Sequence, residues 1–222
     1  MKKLIIFDCD GVLVNSEIVA NRIEAEEFSK LGFPITTEEH IRLFTGSDAV
    51  MVNKIITEKI GMIPTKEFFS KTQVAVYQAF EIELTPLISS VLQFVTANNI
   101  ANCIASNSHA ERIVKALTVT KQLEFFKQEN IFVAAQVPQG KPAPDLFLFA
   151  ARQMKFDVQD CLVIEDSAMG IQAALAANIE VIGFLGGDHA KYDWYQQRIN
   201  AYNIPIAHDV TELLGMIRDR CI

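Results

Sequence analysis

The sequence has little of what marks an extracellular, membrane-spanning or nucleic-acid-binding protein. Only four cysteines occur in 222 residues, Cys9, Cys103, Cys161 and Cys221, and none forms a CxxC pair. Three of them sit in or beside apolar, strand-like runs, where a small buried thiol is the ordinary reading. That usage points to a reduced, cytoplasmic protein. The four histidines, His40, His109, His189 and His208, have no ligand spacing with the cysteines, which argues against zinc. No run approaches the roughly 20 apolar residues of a membrane span. The start does not read as a signal peptide, because Lys2 and Lys3 precede only a short apolar run that Asp8 interrupts. Positive charge is in deficit: 20 Lys and Arg stand against 27 Asp and Glu, for a formal charge of −7. A chain so acidic does not bind nucleic acid or an anionic membrane surface in general. A small anionic substrate remains open, since local lysines and a metal override net charge. Repeats and low-complexity segments are absent.

Apolar residues are plentiful, at 50% of the chain, enough for one large domain or a core plus a smaller one. Short apolar runs bounded by polar residues predict strands at 4–7, 101–105, 131–134, 161–164 and 180–184, with an edge strand at 205–207. Helical periodicity covers 88–98, 110–117, 144–154, 169–177 and 211–218 between and after them. Strands alternating with helices predict a parallel sheet of the α/β class. After the first strand the pattern changes. Residues 17–84 read as helices throughout: 17–31, a second opening at Thr36 or Thr37 with Glu39 near the capping-box position, then 48–60 and 65–79. The expected domains are therefore a core of residues 1–15 and 86–222 and a helical insert of residues 16–85, joined by two adjacent crossings of the chain that form a hinge.

In an open parallel sheet, ligands bind beyond the carboxyl ends of the strands. Applied here, the rule collects polar groups at one edge. The first strand delivers Asp8 and Asp10, followed by Gly11; the second delivers Ser106 and Asn107; the third is followed by Gly140-Lys141-Pro142; the fourth delivers Glu165 and Asp166. Several carboxylates in one pocket repel each other, and a hard divalent cation such as Mg²⁺ relieves the repulsion. A metal site beside an anion site suits phosphate. Asp8 is the expected nucleophile, attacking a phosphoryl group to form an aspartyl-phosphate. Asp10 is the expected acid and base. Asp8, the main-chain carbonyl of Asp10 and Asp166 hold Mg²⁺, with Glu165 binding it or orienting its ligands. Ser106, Lys141 and the turn amides near Gly11 hold phosphoryl oxygens, and Asn107 joins them in binding substrate. Each residue alone has a duller reading: an Asx turn for Asp8 to Gly11, a helix cap for Ser106, a solvated charge for Lys141, a helix N-terminus for Glu165 and Asp166. Asp145 reads as a first-turn helix acid and His109 as a surface residue near the pocket. The order of the groups at successive strand ends favours the chemical reading.

The four segments Asp8-Cys9-Asp10-Gly11-Val12-Leu13-Val14-Asn15-Ser16, Ala105-Ser106-Asn107, Gly140-Lys141-Pro142-Ala143-Pro144-Asp145 and Val163-Ile164-Glu165-Asp166-Ser167-Ala168-Met169-Gly170 resemble, in order, the four motifs of the haloacid dehalogenase superfamily of phosphohydrolases. Gly186-Gly187-Asp188-His189 is similar to its beta-phosphoglucomutase-like and 6-phosphogluconate phosphatase-like members. The resemblance implies a Rossmann-like core with a small all-helical cap inserted after the first strand, Mg²⁺ as cofactor and a small phosphate ester as substrate. It departs in three places. Asn15 stands where Asp is common, Leu87 follows Pro86 in place of Gly, and Val19-Ala20-Asn21-Arg22 lacks the histidine that the mutases carry. The expected function is thus a Mg²⁺-dependent phosphatase acting on a sugar phosphate or phospho-sugar acid, with a phosphomutase as the alternative and a monomer as the expected state. The break at Phe44-Thr45-Gly46-Ser47-Asp48 is the expected substrate-selecting loop, with Arg42 or Lys54 to meet an anion.

Overall fold

The computed structural model describes residues 1–45 and 49–222. Its sheet grows from β1 (Leu4–Phe7), whose four residues are all fully buried. Strands covered on both faces read as unbroken apolar runs, as here. The other strands are β2 (Ala101–Ser106), β3 (Ile131–Val133), β4 (Cys161–Glu165), β5 (Glu180–Phe184) and β6 (Ile206–Ala207). They pair in the order β3-β2-β1-β4-β5-β6, every pair parallel. The chain runs outward from β1 to β3 and returns to β4 on the other side of β1, so the strand order reverses there. The register aligns the carboxyl ends: Phe7 lies level with Ile104 of β2 and Ile164 of β4. The residues just beyond these three positions therefore emerge side by side.

The chain divides into two compact units, Met1–Asn15 with Thr85–Ile222, and Ser16–Leu84. In the first, α5 (Ser89–Ala97), α6 (Ala110–Val119), α7 (Asp145–Met154), α8 (Ala168–Ala176), α9 (Asp193–Asn200) and α10 (Val210–Cys221) surround the sheet. Helix α10 starts on an Asp209 cap whose Oδ1 accepts from the Thr211 and Glu212 amides at 2.7 and 2.9 Å. Helix α9 was not anticipated from the sequence. Only Tyr195 and Ile199 are buried in it, one pair four residues apart, which is too little apolar periodicity to read. The two crossings to the second unit pair with each other: the Asn15 amide donates to the Thr85 carbonyl at 3.0 Å and the Leu87 amide to the Leu13 carbonyl at 2.9 Å.

The second unit holds α1 (Ser16–Lys30), α2 (Thr37–Phe44), α3 (Ala49–Ile60) and α4 (Lys66–Glu83). Thr36 caps α2 with the capping box read from the sequence: its hydroxyl accepts from the Glu39 amide at 3.2 Å, and the Glu39 carboxylate accepts from the Thr36 amide at 2.8 Å. Phe28, Phe33, Phe44 and Ile56 form its core. Of the expected selecting loop, residues 44–48, Phe44 ends α2 and Thr45 caps it, while 46–48 lie outside the described residues. Among the described residues no helix is long and apolar enough to cross a membrane.

Candidate active site

Asp8 leaves β1 directly into a buried cluster. Lys141 reaches it from the loop before α7, and its Nζ donates to Asp8 Oδ1 and to Glu165 Oε1, both at 2.6 Å. Lys141 is only 5% exposed, and its ammonium also lies 4.8 Å from the centre of the Phe147 ring. Burial alone would lower its pKa, but the Asp8 and Glu165 carboxylates outweigh burial and hold Lys141 above the ordinary lysine range. Asp8 is pushed up by its own burial and by Glu165, Asp166 and Asp10, against the pull of Lys141.

Asp8, Glu165 and Asp166 each offer an oxygen within 4.8 Å of the other two. Three carboxylates and one ammonium leave a formal charge of −2, which one divalent cation would cancel. An all-oxygen donor set suits a hard cation. Glu165 has duties elsewhere: Oε1 takes Lys141, and Oε2 accepts from the Ser167 amide and hydroxyl at 2.8 and 2.9 Å. The site therefore fits a cation held by Asp8 and Asp166, with Glu165 bracing Lys141 and the turn into α8. Gly11 makes this packing possible. Its φ of +81° lies in the left-handed region, and a Cβ there would stand 2.2 Å from Asp166 Oδ2.

The Asp10 side chain is placed apart from that cluster. Its Oδ2 accepts from the Ser108 hydroxyl at 2.6 Å, and its Oδ1 accepts from Arg112 Nη2 and Nε at 3.0 and 3.3 Å. The Ser106 hydroxyl, 2% exposed at the end of β2, accepts from the Ser108 amide at 3.2 Å and so joins Asp10 through Ser108. Asn107, expected at the substrate, grips the main chain of Lys141: Oδ1 accepts from its amide at 2.9 Å and Nδ2 donates to its carbonyl at 3.0 Å. The Lys141–Pro142 peptide bond is cis. Cys9, between the two aspartates, is 1% exposed, and burial followed by the charges of Asp10 and Asp8 holds its thiol protonated and inert.

The strand-end residues thus gather into two hydrogen-bonded groups, Asp8 with Lys141, Glu165 and Asn107, and Asp10 with Ser108 and Ser106, while Asp166 stands within reach of Asp8 and Glu165. Ser108 and Arg112 belong to the second group, and His189, whose Nε2 lies 2.7 Å from Asp166 Oδ2, adjoins the first, without having been read as site residues. A polar residue just past a strand end is the one signal that could have found Ser108.

A profile described as haloacid dehalogenase-like hydrolase matches residues 5–184. The 6-phosphogluconate phosphatase of Escherichia coli is 27% identical over 190 residues, covering 84% of each chain. A haloacid dehalogenase-like protein of unknown function from Agrobacterium tumefaciens superposes with a TM-score of 0.85 at 29% identity, over 100% of both chains. A HAD family hydrolase from Deinococcus radiodurans, solved with phosphate and sodium bound, gives 0.80 at 27% identity over 99% of this chain and 96% of that one.

Proposed function

The chain belongs to the haloacid dehalogenase-like hydrolases, and on that premise we propose that it is a Mg²⁺-dependent phosphatase of a small phosphorylated metabolite, working through an aspartyl-phosphate. The observation that carries this reading is the buried trio Asp8, Glu165 and Asp166, of which Asp8 and Glu165 hold the Lys141 ammonium, formally two positive charges short of balance.

Asp8 attacks phosphorus through a carboxylate oxygen, and the bond to the leaving oxygen breaks. Asp10 gives that oxygen its proton, then takes one from the water that cleaves the aspartyl-phosphate, releasing phosphate and restoring Asp8. Lys141 already sits on Asp8 and lies beside the arriving phosphoryl oxygens, with the Ser106 hydroxyl and the turn amides near Gly11 completing their cradle. Asn107 sets the Lys141 backbone. Mg²⁺, held by Asp8, the Asp10 carbonyl and Asp166, supplies the positive charge that lets a carboxylate approach a phosphate. A sugar phosphate or phospho-sugar acid is the substrate class, supported by the name of the Escherichia coli relative. Four free, buried cysteines suit a cytoplasmic setting.

The test is phosphate release from a panel of phosphorylated sugars, sugar acids and glycolate, with and without Mg²⁺. Turnover should need the metal and fall on the order of 10⁴-fold or more in Asp8→Asn with the fold retained. Equal turnover by Asp8→Asn removes the aspartyl-phosphate from the scheme.

A further inference from the structure

We propose that His189 is a positioning residue for the cation: it fixes the carboxylate of Asp166 and so sets the affinity of the site. This rests on the reading of Asp8 and Asp166 as metal ligands.

The imidazole is 1% exposed, and its Nε2 lies 2.7 Å from Asp166 Oδ2. The ring has a built seat. Tyr195 meets it edge-on, with centroids 5.2 Å apart and planes at 90°. Two glycines clear space for it: a Cβ on Gly187 would lie 2.7 Å from both Nδ1 and Cε1, and one on Gly11 would lie 2.9 Å from Cε1. The Tyr195 hydroxyl in turn donates to the main-chain carbonyl of Asp166 at 3.4 Å. The backbone carrying the ring is also tied down. The Asp188 amide donates to Asn15 Oδ1 at 3.0 Å, and Asn15 Nδ2 donates to Asp188 Oδ2 at 2.5 Å.

A carboxylate that turns freely must be ordered each time a cation binds. One whose oxygen is held against a seated imidazole presents its plane already set. Groups that orient a ligand in this way typically change metal affinity by roughly 10–100-fold when removed. Simple core packing would ask only for a ring of this size, so a phenylalanine separates the two roles.

The experiment titrates the substrate-free protein with Mn²⁺ and counts free ion by electron paramagnetic resonance. His189→Phe should weaken Mn²⁺ binding by about 10–100-fold, and His189→Gln, which keeps a donor, should recover most of it. Wild-type affinity in His189→Phe, or equal weakness in both variants, overturns the proposal. If His189→Phe does not fold, Gly187→Ala decides. Its φ of −78° and ψ of 151° suit alanine, yet the new Cβ intrudes on the imidazole. Weakened binding in Gly187→Ala supports the role of His189, and unchanged binding overturns it. A wild type that does not bind Mn²⁺ at all sinks the metal reading itself, whereas binding that neither substitution alters sinks the role of His189 alone.

Discussion

Each unit buries a polar cluster, and the two meet the same cost in opposite ways. In the sheet unit the ionisable groups of Asp8, Lys141 and Glu165 are buried in mutual contact, with Asp166 beside them. In the helical unit His40 is 2% exposed among the rings of Phe28 and Phe44, at 5.3 and 4.7 Å, and its Nδ1 pairs with Asn21 Oδ1 at 2.8 Å. Burial lowers the His40 pKa to about 4, so this cluster is neutral where the other holds the Lys141 ammonium. A fold seeking stability alone does better with neutral or apolar groups, because desolvating ions rivals what their attraction returns. The helical unit follows that rule. The sheet unit departs from it at the residues proposed to do chemistry, and keeps a charge imbalance that a cation would remove.

The largest effect expected from breaking this contrast is at Lys141. Lys141→Met preserves the stem and removes the ammonium, leaving Asp8 and Glu165 facing each other in a buried site. Loss of one partner of a buried ion pair typically costs about 3–5 kcal/mol, to be read by urea unfolding at pH 7. Adding Glu165→Gln should return part of that loss. If the single variant is as stable as the wild type, the sheet cluster is not held by charge and the contrast fails.

His40 gives the next effect, with the sign fixed by linkage. The ordinary value is 6.5 and the folded value about 4. Above pH 6.5 neither state takes the proton and stability is full. As pH falls from 6.5 toward 4, the unfolded chain binds a proton that the folded chain refuses. Stability then drops by up to roughly 3 kcal/mol. Glu24, with Oε2 3.7 Å from Nε2, opposes this in part, while Asn21 and the phenylalanines carry no charge. The difference between wild type and His40→Phe in unfolding free energy, at pH 7.5 and again at pH 4.5, isolates the group. A difference that does not change with pH would mean the helical cluster tolerates charge as the sheet cluster does.

What could be read from the sequence follows the same division. The buried strands and their polar tips were legible because an apolar run ending in Asp8, Ser106 or Glu165 is a local pattern. So were the Thr36 capping box and the place where helices replace strands. The strand order and the level register of Phe7, Ile104 and Ile164 were not, since pairing is set by contacts far apart in the chain. Within the site, Asp8, Lys141, Glu165 and Asp166 announced themselves by position. Arg112 did not, because its partner Asp10 lies 102 residues away and one arginine on a helix has no spacing to betray it. His189 sat in a glycine-rich segment noticed only as a resemblance. Its contact with Asp166 depends on space left by Gly11 and Gly187, which no linear pattern records.

The smallest effect concerns a pair that lies between these extremes, with one partner buried, the other half-exposed, and one charge between them. Asn15 both donates to and accepts from Asp188. Hydrogen bonds from Lys191 and Asn15 hold the Asp188 carboxyl below its usual range, so Asp188 is ionised in the fold. That stability is present above the ordinary carboxylate range and is lost as pH falls through the lowered folded value. An aspartate at position 15 would turn the donated hydrogen bond into a meeting of two carboxylates. Because the Asp188 side chain is 43% exposed, solvent screens much of the repulsion. Asn15→Asp should cost about 1 kcal/mol at pH 7, and less near pH 4 as one carboxylate takes a proton. The exchange Asn15→Asp with Asp188→Asn should restore the melting temperature, because it rebuilds an amide–carboxylate pair with the roles reversed. If the exchange fails while the single substitution is harmless, the contact is surface proximity. The charge rule that separates the two buried clusters then does not extend to this partly exposed pair.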